Sequence, residues 1–181
     1  MKKLILATAV SSLVMGMTSA SAFAASTTVH GGNIQFLGEV VNAACSVSSD
    51  SANQVVQMDQ VRTAKLATVG ETAGQVEAFN IELKDCDTTV SQNAGVTFTG
   101  MTDANEPTAL ANTAGAGGAQ GVALQLLGPD SNKLNMGEES STIVLQNGTN
   151  IIPLGVDYLA TSATVTPGLV SATATFNINY N

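Results

Sequence analysis

Apolar residues recur at every second position along most of this chain, and a side-chain period of two is the mark of a β-strand with one buried face. Phe79, Ile81 and Leu83 alternate with Asn80, Glu82 and Lys84, and Val96 and Phe98 with Thr97 and Thr99. Val122, Leu124 and Leu126 alternate with Ala123 and Gln125. Ile152, Leu154, Val156 and Tyr158 form a further series around Pro153, whose missing amide hydrogen favours an edge or a bulge. Helical periodicity is scarce, and only a turn or short helix is expected near Gln60–Ala67. Gly, Asn and Asp turns separate the runs, and Asn147-Gly148, between Ile143–Leu145 and Ile151–Ile152, reads as a hairpin turn. The pattern predicts an all-β sandwich or barrel with Greek-key connections.

At 181 residues the chain has room for one compact domain. Six Lys and Arg against 14 Asp and Glu give a net charge of −8, which leaves no electrostatic footprint for nucleic acid. Only 11% of residues are charged and a single His is present, so general acid–base catalysis and metal chemistry have few parts. Neither a Ser-His-Asp triad, a zinc site nor a copper–zinc dismutase can be built on His30 alone.

The first residues read as a secretory signal peptide. Lys2 and Lys3 form a positive start, Leu4 to Met17 an apolar run, and Ala22-Phe23-Ala24 a small-x-small cleavage site after Ala24. The run is interrupted by Ser11 and Ser12 and falls short of the roughly 20 residues of a membrane span, so no transmembrane segment is expected. Removing 24 of 181 residues leaves 157 and, with two lysines lost, moves the net charge from −8 to −10. Export places Cys45 and Cys86 in an oxidising compartment, where two cysteines without nearby Cys or His partners pair as one disulfide. Closing about 40 residues stabilises a fold by roughly 4 kcal/mol on the chain-entropy account.

Two alternating segments lie at the ends of the exported chain. Ala174, Phe176, Ile178 and Tyr180 share one face of the last stretch, opposite Thr and Asn. Near the start, Ile34, Phe36, Gly38 and Val40 alternate with Asn33, Gln35, Leu37 and Glu39, after Thr28, Val29 and the Gly31-Gly32 pair. Residues 25–44, at roughly 3.3 Å each, reach beyond 60 Å, longer than one strand of such a domain needs. The pattern alone permits these ends to pair with each other; it equally permits an open C-terminal edge and an arm that leaves for another molecule.

Several motifs carry a resemblance. Thr27-Thr28-Val29-His30-Gly31-Gly32, Phe36 and Gly38-Glu39-Val40-Val41-Asn42-Ala43-Ala44-Cys45 resemble the mature N-terminus of chaperone–usher pilins, those of type 1 fimbriae above all. Gln60-Val61-Arg62-Thr63-Ala64, Phe79-Asn80-Ile81, Asp85-Cys86-Asp87, Asn147-Gly148-Thr149-Asn150 and Thr166-Pro167-Gly168 follow in the same order. The family signature of a penultimate tyrosine and a glycine fourteen from the end is met by Tyr180 and Gly168.

The resemblance implies an incomplete immunoglobulin-like Greek-key sandwich completed by a donor strand from a neighbouring subunit. Residues 1–24 would be the signal, 25–44 the donor extension running into the first strand, and 45–181 the pilin domain. The implied function is the major structural subunit of a type 1 fimbria, polymerising without covalent bonds and supporting bacterial adhesion, with no enzymatic activity and no cofactor. Implied partners are copies of itself in a helical polymer, a periplasmic chaperone, an outer-membrane usher and tip or adaptor pilins. Donor residues are expected among Thr28, Val29, Gly31, Gly32, Ile34, Phe36, Gly38 and Val40, with a register break at the glycine pair because Val29 and Gly31 lie on the opposite parity to Ile34 and Phe36. The chaperone-binding and acceptor residues are Gly168, Ala174, Phe176, Ile178, Tyr180 and the terminal carboxylate of Asn181. A minor or adaptor pilin is the alternative within the family, and a monomeric exported sugar-binding β-sandwich the alternative outside it.

The remaining motifs read plainly. The glycine-rich run Gly115–Gly121 lacks the Lys-Ser/Thr ending of a phosphate loop and reads as a mobile surface loop. Asn147-Gly148-Thr149 fits a glycosylation sequon, but the turn accounts for the same residues. Asp85 and Asp87 read as a solvated strand end rather than a calcium pair.

Overall fold

The computed structural model describes residues 28–181; the expected signal peptide and its cleavage site at Ala22 and Ala24 lie outside the described residues. The chain divides into two units, residues 1–39 and 40–181. Within the first, residues 28–39 carry no helix or strand, and their side chains are exposed throughout.

The second unit is built from β1 (Ser46–Val47), β2 (Glu77–Cys86), β3 (Asn93–Gly100), β4 (Leu110–Ala111), β5 (Val122–Leu127), β6 (Lys133–Leu134), β7 (Ile143–Val144), β8 (Gly148–Ala160) and β9 (Ala174–Tyr180). One sheet runs β1-β2-β8-β5-β4 with β6 on the flank of β5, and the other runs β7-β3-β9. Every ladder is antiparallel. The period-two pattern explains the layering: Ile81, Leu83, Val96, Leu126, Ile152 and Leu154 point from both sheets into one core and are all buried. The cysteines close a disulfide between Cys45 and Cys86. Asp85, at φ 51°, breaks the β2–β8 register between Leu83 and Cys86.

Pro153 lies in β8, whose ladder with β5 covers only Gly155–Ala160. The Gly148–Leu154 half therefore pairs on one side only, with β2, and the missing amide hydrogen costs no bond. The turn expected near residues 60–67 is a short 3-10 helix, Thr63–Lys65. A four-residue helix α1, Ser49–Ala52, capped by the Ser48 side chain, is too short to leave a periodic trace.

Two expectations are corrected. Asn147-Gly148 turns the chain, with Gly148 at φ 97°, but makes no hairpin: β7 pairs with β3 and β8 with β2 and β5, so the turn crosses between sheets. The Asn147 carboxamide oxygen accepts from the Thr88 amide (2.8 Å) and hydroxyl (3.0 Å), fixing the crossover to the end of β2. The Gly115–Gly121 loop is not free. Ala119 N donates to Leu169 O (2.8 Å), Leu169 N to Gly117 O (3.0 Å) and Thr166 N to Gln120 O (3.1 Å), tying it to the segment before β9.

Candidate functional site

The two sheets do not close on each other along one side. A groove of about 1060 Å³ opens there, entirely within the 40–181 unit. One wall is the chain from Val170 through Phe176 and the other is the segment Asn53–Met58. Phe79, Ile81, Phe98, Leu124, Leu126, Val156 and Tyr158 form its floor. The rings of Phe79, Phe98 and Phe176 step across it, at centroid separations of 6.4 Å and 6.0 Å. Val56, Met58, Phe79, Val170, Ala172, Ala174 and Phe176 pack against the core yet stay only half-buried. These are core side chains lacking a covering layer.

The backbone along the groove is equally incomplete. Among the described residues β9 has one ladder partner, β3. Asn181 and Asn93 exchange both backbone bonds at 3.1 Å each. Counting back in twos through the register, Asn179, Asn177 and Thr175 bond to β3 as well. The N–H and C=O groups of Ala174, Phe176, Ile178 and Tyr180 therefore point to the open edge. The same four residues turn their side chains toward the core, so one stretch presents both unpaired donors and acceptors and an apolar surface. On the opposite wall, residues 54–62 belong to no helix or strand and enter no ladder.

The two tyrosines fix the ends of this groove. Tyr180 donates its hydroxyl to Cys45 O (3.2 Å), pinning the end of β9 to the disulfide. At the other end Tyr158 donates to Asp59 O (2.9 Å), pinning the far end of the second wall. Burial pushes both phenols above their ordinary value, with Asp59 and Asp157 adding to the effect at Tyr158 and the Cys45 bond opposing it at Tyr180.

Of the residues singled out in the sequence, Ala174 and Phe176 line the groove, and Ile178 and Tyr180 continue its row toward Cys45. Asn181 sits beside them at a smaller cavity bounded by Thr88–Asn93, where its terminal oxygen accepts from Asn93 N (3.1 Å) and Ser91 Oγ (2.7 Å). Gly168 is not in the groove. A Cβ there would lie 2.7 Å from Gly117 O and closer still to Ala119 N and Gly118 C, so the residue lets two backbones touch and places the wall that begins at Val170. Thr28, Val29, Gly31, Gly32, Ile34, Phe36 and Gly38 are exposed in the first unit and Val40 is exposed at the start of the second; Ile34, Phe36 and Val40 stand at 81%, 87% and 101% exposure. The Asn53–Met58 wall was missed by the sequence reading. Its only trace is Val56 and Met58 two apart, too short a series to separate from a loop.

The fimbrial protein family matches residues 34–181. The chain is 45% identical over 174 residues to a type-1 fimbrial protein A chain of Escherichia coli, covering 94% of each. It is also 45% identical over 171 residues to a type 1 fimbrial subunit of Klebsiella pneumoniae, covering 92% of each. Among solved structures it is similar to a chaperone–usher pilus subunit, with TM-score 0.67 and 28% identity, over 86% of this chain and all of that one.

Proposed function

The chain belongs to the fimbrial protein family and is a structural subunit of a type 1 fimbria; from that premise we propose that its groove is the acceptor for the arm of the next subunit. The observation that carries this is the coincidence, along β9, of unpaired backbone groups and half-buried apolar side chains. An inserted strand satisfies both at once: main-chain bonds to Phe176, Ile178 and Tyr180 complete the sheet, and alternate side chains complete the core. Ile34, Phe36 and Val40 are the inserted side chains. Burying each contributes roughly 1.5–3 kcal/mol. The strand enters antiparallel to β9, in keeping with every other ladder of the molecule and with the greater stability of that pairing.

Donation to one neighbour and acceptance from another is a heterologous contact, which propagates as an open helical filament. No bond is made or broken, so no residue is given a catalytic role. Before assembly the open edge calls for a temporary occupant, and we assign a periplasmic chaperone to it, holding Phe176, Ile178, Tyr180 and the carboxylate of Asn181. An outer-membrane usher and tip or adaptor pilins complete the pathway to the cell surface. The rod subunit is favoured over a minor or adaptor pilin by the similarity to A chains over almost the full length. A sugar-binding sandwich is disfavoured because the aromatic rings of the groove pack on one another between the sheets.

The test is deletion of residues 25–40. The truncated protein is expected to fold and accept a peptide of those residues, yet form no polymer. Rods assembled by the truncated protein would overturn the reading.

A further inference from the structure

The described residues hold four cations and fourteen carboxylates. Three of the cations, Arg62, Lys65 and Lys133, belong to one stretch of surface chain: Arg62 caps the start of the 3-10 turn, Lys65 is its last residue, and the Lys133 ammonium donates to Gly70 O (3.3 Å) five residues further on. With Asp59 and Glu71 counted, residues 59–71 plus Lys133 hold three cations against two carboxylates. Everything else holds one lysine against twelve, and that lysine, Lys84, is bound to Glu82 at 3.3 Å. Arg62, Lys65 and Lys133 are exposed and, among the described residues, meet no carboxylate within 4.0 Å.

This patch sits at a defined end of the groove. The lining on this side begins with Val47, two residues after the disulfide's Cys45, and continues through the second wall, Asn53–Met58, to Asp59, whose carbonyl Tyr158 holds; Arg62 follows three residues later. β9 runs the other way, from the Tyr158 end to Cys45. A strand inserted antiparallel to β9 therefore leaves the groove beside Asp59–Lys65. What emerges there is the donor subunit's own first strand. Its Ala44 O accepts from Asp87 N (2.9 Å), so the end of β2, with Asp85 and Asp87 exposed on either side of buried Cys86, lies where the arm joins its domain. From Val40 to Ala44 the chain spans at most about 13 Å. The Asp87 carboxylate is held below its usual range by the hydroxyl and amide of Thr89, which keeps it ionised.

We propose that the loop carrying Arg62 and Lys65 docks the acidic Asp85/Asp87 turn of the inserted neighbour, a second copy of this chain. The proposal rests on the acceptor reading of the groove. In a polymer of strongly acidic subunits this is where opposite charges meet, and it steers the arriving subunit toward the correct end of the groove. Charged groups at the rim of an interface act chiefly on the association rate and on its salt dependence.

The experiment uses mature full-length protein, followed by light scattering during polymerisation, with the affinity for a residue 25–40 peptide measured alongside. Arg62→Glu/Lys65→Glu is expected to bind the peptide as wild type does, and to polymerise about tenfold more slowly at low salt, the difference closing in about 1 M salt. Asp85→Asn/Asp87→Asn keeps the oxygen that Thr89 uses. It is expected to slow polymerisation of the wild-type chain but to quicken that of Arg62→Glu/Lys65→Glu, because there it removes a repulsion. Unchanged rates, or an Asp85→Asn/Asp87→Asn effect of the same sign in both backgrounds, overturn the docking contact. Failure of the peptide to bind the wild-type groove instead overturns the acceptor reading beneath it.

Discussion

Replacing Gly168 by Ala should destabilise the subunit although the residue lies in neither sheet. A Cβ at this position meets Gly117 O at 2.7 Å and approaches Ala119 N and Gly118 C more closely, and all three are backbone atoms with no rotamer to change. The Gly117–Ala119 strip must move away from the segment before β9. Overpacking of this sort costs about 1–3 kcal/mol. The shift also strains the bonds from Ala119 N to Leu169 O and from Leu169 N to Gly117 O, at about 1 kcal/mol each. The sum is about 3–5 kcal/mol, which at a urea slope of about 2 kcal/mol/M moves the midpoint down by roughly 2 M. Urea unfolding followed by circular dichroism reads it. Since Val170 begins the groove wall, affinity for the residue 25–40 peptide should fall in the same variant. Gly31→Ala is the control: nothing lies within 4 Å of its Cβ, and the midpoint should not change. A Gly168→Ala protein within about 0.5 kcal/mol of wild type would refute the claim that two backbones touch here.

Three further outcomes are expected. Cys45→Ser/Cys86→Ser should lose about 4 kcal/mol of unfolding free energy, and more than usual at the Tyr180 end of the groove, because Tyr180 bonds Cys45 O; equal urea midpoints would contradict this. Asp157, 1% exposed, accepts from the amides of Gly74 (2.9 Å), Gln75 (3.1 Å) and Tyr158 (2.8 Å), so Asp157→Asn should cost about 2–4 kcal/mol and expose Ala73–Gln75 to amide exchange. The raised phenols of Tyr158 and Tyr180 favour the protonated folded form; stability should hold up to about pH 10 and fall as pH rises further through the folded values, and a thermal-melt series showing no decline above pH 10 would argue against their burial.

Much of the sandwich was legible because each core strand is long enough for period two to show. β2, β3, β5 and β8 coincide with the alternating runs around Ile81, Val96, Leu124 and Val156. Two-residue strands such as β4 and β7, and the unpaired wall at Asn53–Met58, are too short to carry a period, and their placement comes from packing against longer neighbours. Gly115–Gly121 misled for a related reason: glycines mark chain freedom locally, whereas here they admit a second backbone at Gly168. The hairpin expected at Asn147-Gly148 failed because a turn signal fixes a reversal of the chain but not which sheet each flank joins.

By itself the amino-acid order determined the all-β class, the pairing of the only two cysteines, and the apolar faces of the arm and of Ala174–Tyr180, since side-chain parity and composition are local properties. It left open whether Ala174–Tyr180 is covered on both sides or on one. Only the tertiary structure decided that, by setting β9 at the edge of a sheet with β3 as its one ladder partner among the described residues and leaving the core uncovered along it. An edge is defined by what lies beside a strand, and the neighbours that decide it are brought together by sheet packing rather than by sequence.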